Sequence, residues 1–142
     1  MASNITNSPL IIILLMSLIL YQFSFYSFAD LDQPIVAFFN DIPQNLNPIV
    51  KLEIKLKNSG RHVARGEMDI HGSQFLLKAR VIDDIFVCNV EWNHSRAFLH
   101  IYDPVKKDKG HLIIYWSIQD KGIMKSWDAQ KWTFIANWTH NS

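Results

Sequence analysis

Between Val50 and Lys57 the chain reads VKLEIKLK, a strict alternation of apolar and charged residues. Successive side chains of an extended strand point to opposite faces, so Val50, Leu52, Ile54 and Leu56 share one face and Lys51, Glu53, Lys55 and Lys57 the other. Wound as a helix, the same residues would spread charge around every side. The segment therefore requires one face on a core and one in water, which antiparallel sheets provide.

The same period returns in Ile85–Trp92, where Phe86, Cys88, Val90 and Trp92 fall on one side, and again in Ala97–Tyr102, Leu112–Ile118 and Trp132–Trp138. Ile35–Phe39 and Phe75–Val81 carry it more faintly. Turn residues punctuate these runs at Asn40–Pro43, Asn45–Pro48, Asn58–Gly60, His71–Ser73 and Trp92–Ser95, the last short enough for a hairpin. Lys106–Gly110 and Asp120–Lys131 read as longer polar connections. Together these signals predict an all-β fold, a small antiparallel β-sandwich of about seven to eight strands in two sheets, with a closed barrel as the alternative.

The N-terminus is of another kind. Leu10–Leu20 reads LIIILLMSLIL, and Ser27-Phe28-Ala29 places small residues at −3 and −1 of a cleavage point before Asp30. This predicts a signal peptide over 1–29, a domain over 30–142, and a secreted, extracellular product without stable membrane insertion once the leader is cut. A retained anchor competes, because no Lys or Arg precedes the apolar run. The tripeptides beginning at Asn93 and Asn137 are N-glycosylation sequons, in keeping with export.

Fourteen basic and thirteen acidic residues give a net charge of +1, so no field favours nucleic acid or an anionic membrane. Asp108 interrupts the densest basic group, Lys106, Lys107 and Lys109, which reads as a solvated turn. Six histidines are scattered without metal-ligand spacing, and neither a Gly-rich phosphate loop nor a nucleophile elbow is present. Asp83 and Asp84 are adjacent, which on an extended chain sends their side chains to opposite faces; they read as turn residues. His100 shares a strand face with Phe98 and Tyr102, which makes it a core histidine if that face points inward. These readings predict no enzyme, no catalytic residue, no metal and no cofactor.

Four of the five tryptophans fall in strand-like runs and are assigned to the core; Trp127, in the polar stretch 120–131, is assigned to the surface. The lone Cys88 has Phe86, Val90 and Trp92 as face-mates, so a buried, unpaired thiol is expected rather than a nucleophile.

The segments FFNDIP (Phe38–Pro43), VKLEIKLKNSG (Val50–Gly60), IFVCNVEW (Ile85–Trp92), AFLHIYD (Ala97–Asp103) and YWSIQDKGI (Tyr115–Ile123) follow one another in an order that resembles the plant self-incompatibility protein family, or S-protein homologues. The likeness covers nearly all of 30–142. It implies a secreted β-sandwich acting as a non-enzymatic ligand in cell-to-cell recognition, through a cell-surface receptor protein. It also implies four cysteines in two disulfides, of which this chain keeps one, with an aliphatic residue such as Ile54 where the family has cysteine in the second segment. Lys121, Lys125 and Trp127 form the candidate receptor-binding loop. The alternative function is an extracellular carbohydrate- or lipid-binding module built on Trp127; a hydrolase would require histidine and a carboxylate to converge on a serine or on Cys88.

Overall fold

The computed structural model describes residues 9–30, 33–80 and 83–141. The chain forms two units, Met1–Asp32 and Gln33–Ser142. In the first, residues 1–8 of the expected leader lie outside the described residues, and Pro9–Asp30 form helix α1. From Leu10 to Leu20 its side chains are exposed apart from the half-buried Ile11. A helix apolar on every side has no polar face to leave in water. Among the described residues no helix is long and apolar enough to cross a membrane.

The second unit is a sandwich of two five-stranded sheets. Its strands are β1 (Ile35–Asn40), β2 (Val50–Leu56), β3 (His62–Met68), β4 (Gln74–Lys78), β5 (Phe86–Trp92), β6 (Ser95–Tyr102), β7 (Ile113–Gln119), β8 (Gly122–Ser126), β9 (Thr133–Ala136) and β10 (Thr139–His140). The first sheet runs β4-β1-β7-β8-β9 and the second β10-β6-β5-β2-β3. Neighbours are antiparallel except β1 and β7, which pair in parallel from Ile35 opposite Ile113 to Asn40 opposite Ile118. One core lies between the sheets: Val36, Phe38, Ile114, Trp116, Ile118 and Ile123 from the first meet Leu52, Ile54, Phe86, Cys88, Leu99 and Ile101 from the second.

The period-two reading of β2 holds residue by residue, with Val50, Leu52, Ile54 and Leu56 all buried. Opposite them, β5 contributes Phe86, Cys88 and Val90, with Ile54 directly across from Cys88. The β5–β6 hairpin turns on Asn93 and His94, both at positive φ (45° and 61°), as a tight two-residue loop requires. In β6 a register shift near Phe86 buries Ile101 and Tyr102 side by side, leaving Phe98 and His100 on the outer face. His100 therefore packs edge-on against Phe98 in the open, not in the core with Tyr102.

Three strands lie where none is predicted. β3, HVARGEM, is an edge strand whose outward side chains are charged, so its alternation is faint. β8 falls inside the stretch read as a polar connection; it is hairpinned to β7 through Asp120 and Lys121 and buries Ile123. The run Trp132–Trp138 splits, since β9 ends at Ala136 and the chain then passes to the second sheet as β10. Trp132 and Trp138 are half-buried beside these strands, whereas Trp116 is 1% exposed. The strand expected at Phe75–Val81 is β4, ending at Lys78; Val81 lies outside the described residues.

Candidate recognition site

The connection from β6 to β7 is built by two aspartates. Asp103 Oδ1 accepts the N–H groups of Val105 and Lys106 (3.2 and 3.1 Å), and Asp108 Oδ2 accepts the N–H of Asp103 at 2.7 Å. Asp108 is only 1% exposed, so the segment read as a solvated turn is folded around a buried carboxylate. Its other oxygen, Oδ1, accepts Lys125 Nζ at 2.7 Å and Trp127 Nε1 at 2.9 Å. A charge this deep requires a partner and further donors, and Asp108 has both.

Lys125 belongs to strand β8 and pairs with Trp116 on β7, rather than lying in a loop. Its side chain is 10% exposed, and its ammonium sits 5.3 Å from the Trp116 ring and 5.4 Å from the Trp127 ring. Lys125 is thus occupied by the fold. Lys121 is exposed in the β7–β8 turn, at the opposite end of β8. At about 3.3 Å per residue along a strand, that is roughly 13 Å from Lys125. Lys121, Lys125 and Trp127 therefore do not form one loop.

Trp127 does stand at the surface, 48% exposed, as its polar surroundings predict. His111 stacks on it with ring centroids 4.5 Å apart and planes within 9°. The loop after it is closed by Ser126, whose hydroxyl accepts the Ala129 N–H at 2.9 Å and donates to Asp128 Oδ1 at 2.9 Å. The N–H groups of Lys131 and Gln130, with that hydroxyl, hold the Asp128 carboxyl down at about 2. An exposed indole anchored through its N–H on a buried ion pair and flanked by a second ring loses little freedom when something binds it.

Beside Trp127 lies a cavity of about 210 Å³, bounded by Lys107, Lys125, Lys131, Thr133 and Ile135. A larger concavity, about 550 Å³, lies on the outer face of the second sheet, where Glu53 bridges Lys55 and Arg65 at 3.4 and 3.3 Å. Charges there largely answer one another across strands. Around Trp127, Lys107 and Lys131 are exposed. Asp108, His111, Lys107 and Lys131 were not legible as a site, because the residues that meet here come from the β6–β7 connection, β8 and the loop before β9.

The remaining expected sites are distributed. Asn93 is exposed on the hairpin turn and Asn137 is exposed just beyond β9. Cys88 is 0% exposed and unpaired, and burial pushes its thiol up to about 12. Asp84 is a turn carboxylate: burial raises its pKa, but the N–H groups of Asn58, Ile85 and Ser59 outweigh that and hold it below the ordinary range. Ser95 Oγ and His140 Nδ1 lie 2.7 Å apart; Ser95 is 2% exposed. Among the described residues no acidic side chain is hydrogen-bonded to that imidazole, and no group of three or more His, Cys, Asp or Glu side chains could hold a metal ion. No protein-family model, no curated protein and no solved structure matches the chain.

Proposed function

We propose that this chain is a secreted, non-enzymatic recognition ligand, of the kind its likeness to the self-incompatibility proteins implies, and that it binds a cell-surface receptor protein through the surface around Trp127. The observation that carries the reading is the anchored indole: half exposed, yet fixed by Asp108, Lys125 and His111. Rigid aromatic anchors of this type dominate binding energy at protein interfaces. The leader-like run over Leu10–Leu20 and the sequons at Asn93 and Asn137 agree with such a role.

The test is binding of the leader-free, labelled protein to cells that respond to it. Trp127→Ala is expected to weaken binding at least tenfold, about 1.4 kcal/mol, while the circular-dichroism spectrum stays unchanged. Lys121→Ala, at the far end of β8 and roughly 13 Å from Lys125, is expected to bind within about twofold of wild type, within the ±0.5 kcal/mol of an ordinary surface change. Unaltered binding by Trp127→Ala would move the receptor site elsewhere.

The alternative of a carbohydrate- or lipid-binding module draws on the cavity beside that same exposed ring. It requires tryptophan fluorescence to shift with a glycan or with liposomes; silence across a broad panel of both removes it.

A further inference from the structure

Strand β9 leaves one edge of the first sheet open. On one side it pairs with β8; among the described residues no backbone group pairs with its other side. Its sequence, TFIA, is uncharged, and Phe134 and Ile135 are 50% and 45% exposed. The other edges are of a different character: β3 carries His62, Arg65 and Glu67, β4 ends in Lys78, and β10 is only two residues long. Charge and shortness are the ordinary means of keeping an edge from pairing, and an uncharged edge with free N–H and C=O groups is a template for another strand.

The cavity beside Trp127 has two residues of this strand, Thr133 and Ile135, in its wall. Two of its acidic neighbours are already engaged, Asp108 by Lys125 and Trp127, and Asp128 by the N–H groups of its own loop. The exposed cations at the cavity are Lys107 and Lys131. Main-chain pairing supplies affinity in strand addition, while pockets for alternate side chains supply specificity.

We propose that β9 receives an extended acidic segment of the partner protein as an added strand. The segment's backbone pairs with the open side of β9. Side chains at every second position face the cavity, where carboxylates meet Lys107 and Lys131 and an apolar residue lies against Trp127 and Ile135. This rests on the receptor reading and names the chemistry of the segment recognised. A second copy of the chain fits less well, because its own β9 offers the uncharged Thr133–Ala136 and no carboxylate for the two lysines.

The probe is a phage library of random dodecapeptides panned on the secreted, leader-free protein, with selected peptides then assayed free by fluorescence anisotropy. The peptides recovered should carry Asp or Glu at alternate positions. They should bind at least tenfold more weakly to the exposed-site variant Lys107→Glu/Lys131→Glu. On the wild-type protein they should slow amide hydrogen exchange at Thr133–Ala136. Peptides without acidic bias, no recovered peptide, equal binding to the charge-reversed variant, unchanged exchange in β9, or a β9-dependent dimer would each overturn the proposal. Cell binding separates the two readings: loss in Trp127→Ala but not in the charge-reversed variant defeats strand addition and leaves the receptor reading standing. Acidic-peptide binding by a protein that binds no cells defeats the receptor reading alone.

Discussion

Cys88 and Asp108 mark the two extremes of what single residues disclose. The alternation around Cys88 places it with Phe86 and Val90, and it lies there, between Ile54 and Leu99 with its thiol donating weakly to the Asn89 carbonyl at 3.5 Å. Burial favours the neutral thiol, so the native group keeps its proton to about 12 while an unfolded chain loses it near the ordinary thiol value of 9.0. Between those values the unfolded state binds fewer protons, and stability falls as pH rises. Iodoacetamide at pH 8 is expected to leave native Cys88 unmodified and to alkylate it fully in denaturant. The urea midpoint should drop between pH 8 and 10, and less steeply in Cys88→Ala; Tyr102, also raised by burial, sustains part of the slope. Rapid alkylation of the folded protein would contradict this burial. Asp108, by contrast, sits among lysines in sequence and reads as solvated. Its burial depends on Lys125 and Trp127, which reach it from 17 and 19 residues further along the chain, a coincidence that no local pattern encodes.

Among the elements, β2, β5 and β6 were legible because each has one face on the core and one in water. β8 was hidden for the opposite reason: Lys125 occupies an inward position and so breaks the pattern, and Asp108, with the Trp116 and Trp127 rings, makes that position tolerable. The β8–β9 pair adds a second concealed requirement. Gly122 has φ +143°, and a Cβ there would come within 2.6 Å of the Ala136 carbonyl oxygen and 2.5 Å of the Phe134 ring. Gly122→Ala is therefore expected to cost more than about 1 kcal/mol, because the strained backbone and the contact with main chain act together. Equilibrium unfolding in urea measures it. A midpoint equal to wild type would mean that β9 does not lie this close to β8.

For the whole molecule, the sandwich stands without a disulfide, since Cys88 is the chain's single cysteine. Ile54 lies opposite Cys88, and the core between the sheets is filled by Trp116, Phe38, Phe86 and a set of aliphatic side chains. Each fully buried large side chain contributes about 1.5 to 3 kcal/mol, comparable to the 2 to 4 kcal/mol of a typical bridge. Under the proposed export, intact mass of the protein collected from the medium of expressing cells is expected to show loss of 1–29, glycan removable by glycosidase, and no change in oligomer mass on adding reductant. A product retaining 1–29 would overturn the processing scheme, and a reductant-sensitive dimer would contradict a sequestered thiol. The sequence by itself determined that the chain is built of strands and which faces of β2 and β5 turn inward, because period-two alternation is a local property of an extended backbone. Tertiary structure alone decided the parallel pairing of β1 with β7, the burial of Asp108 with Lys125, and the anchoring of Trp127 beside an open β9 edge. Each of these joins residues distant in the chain, and long-range partners, not local periodicity, determine whether a charge can be buried or an edge left free.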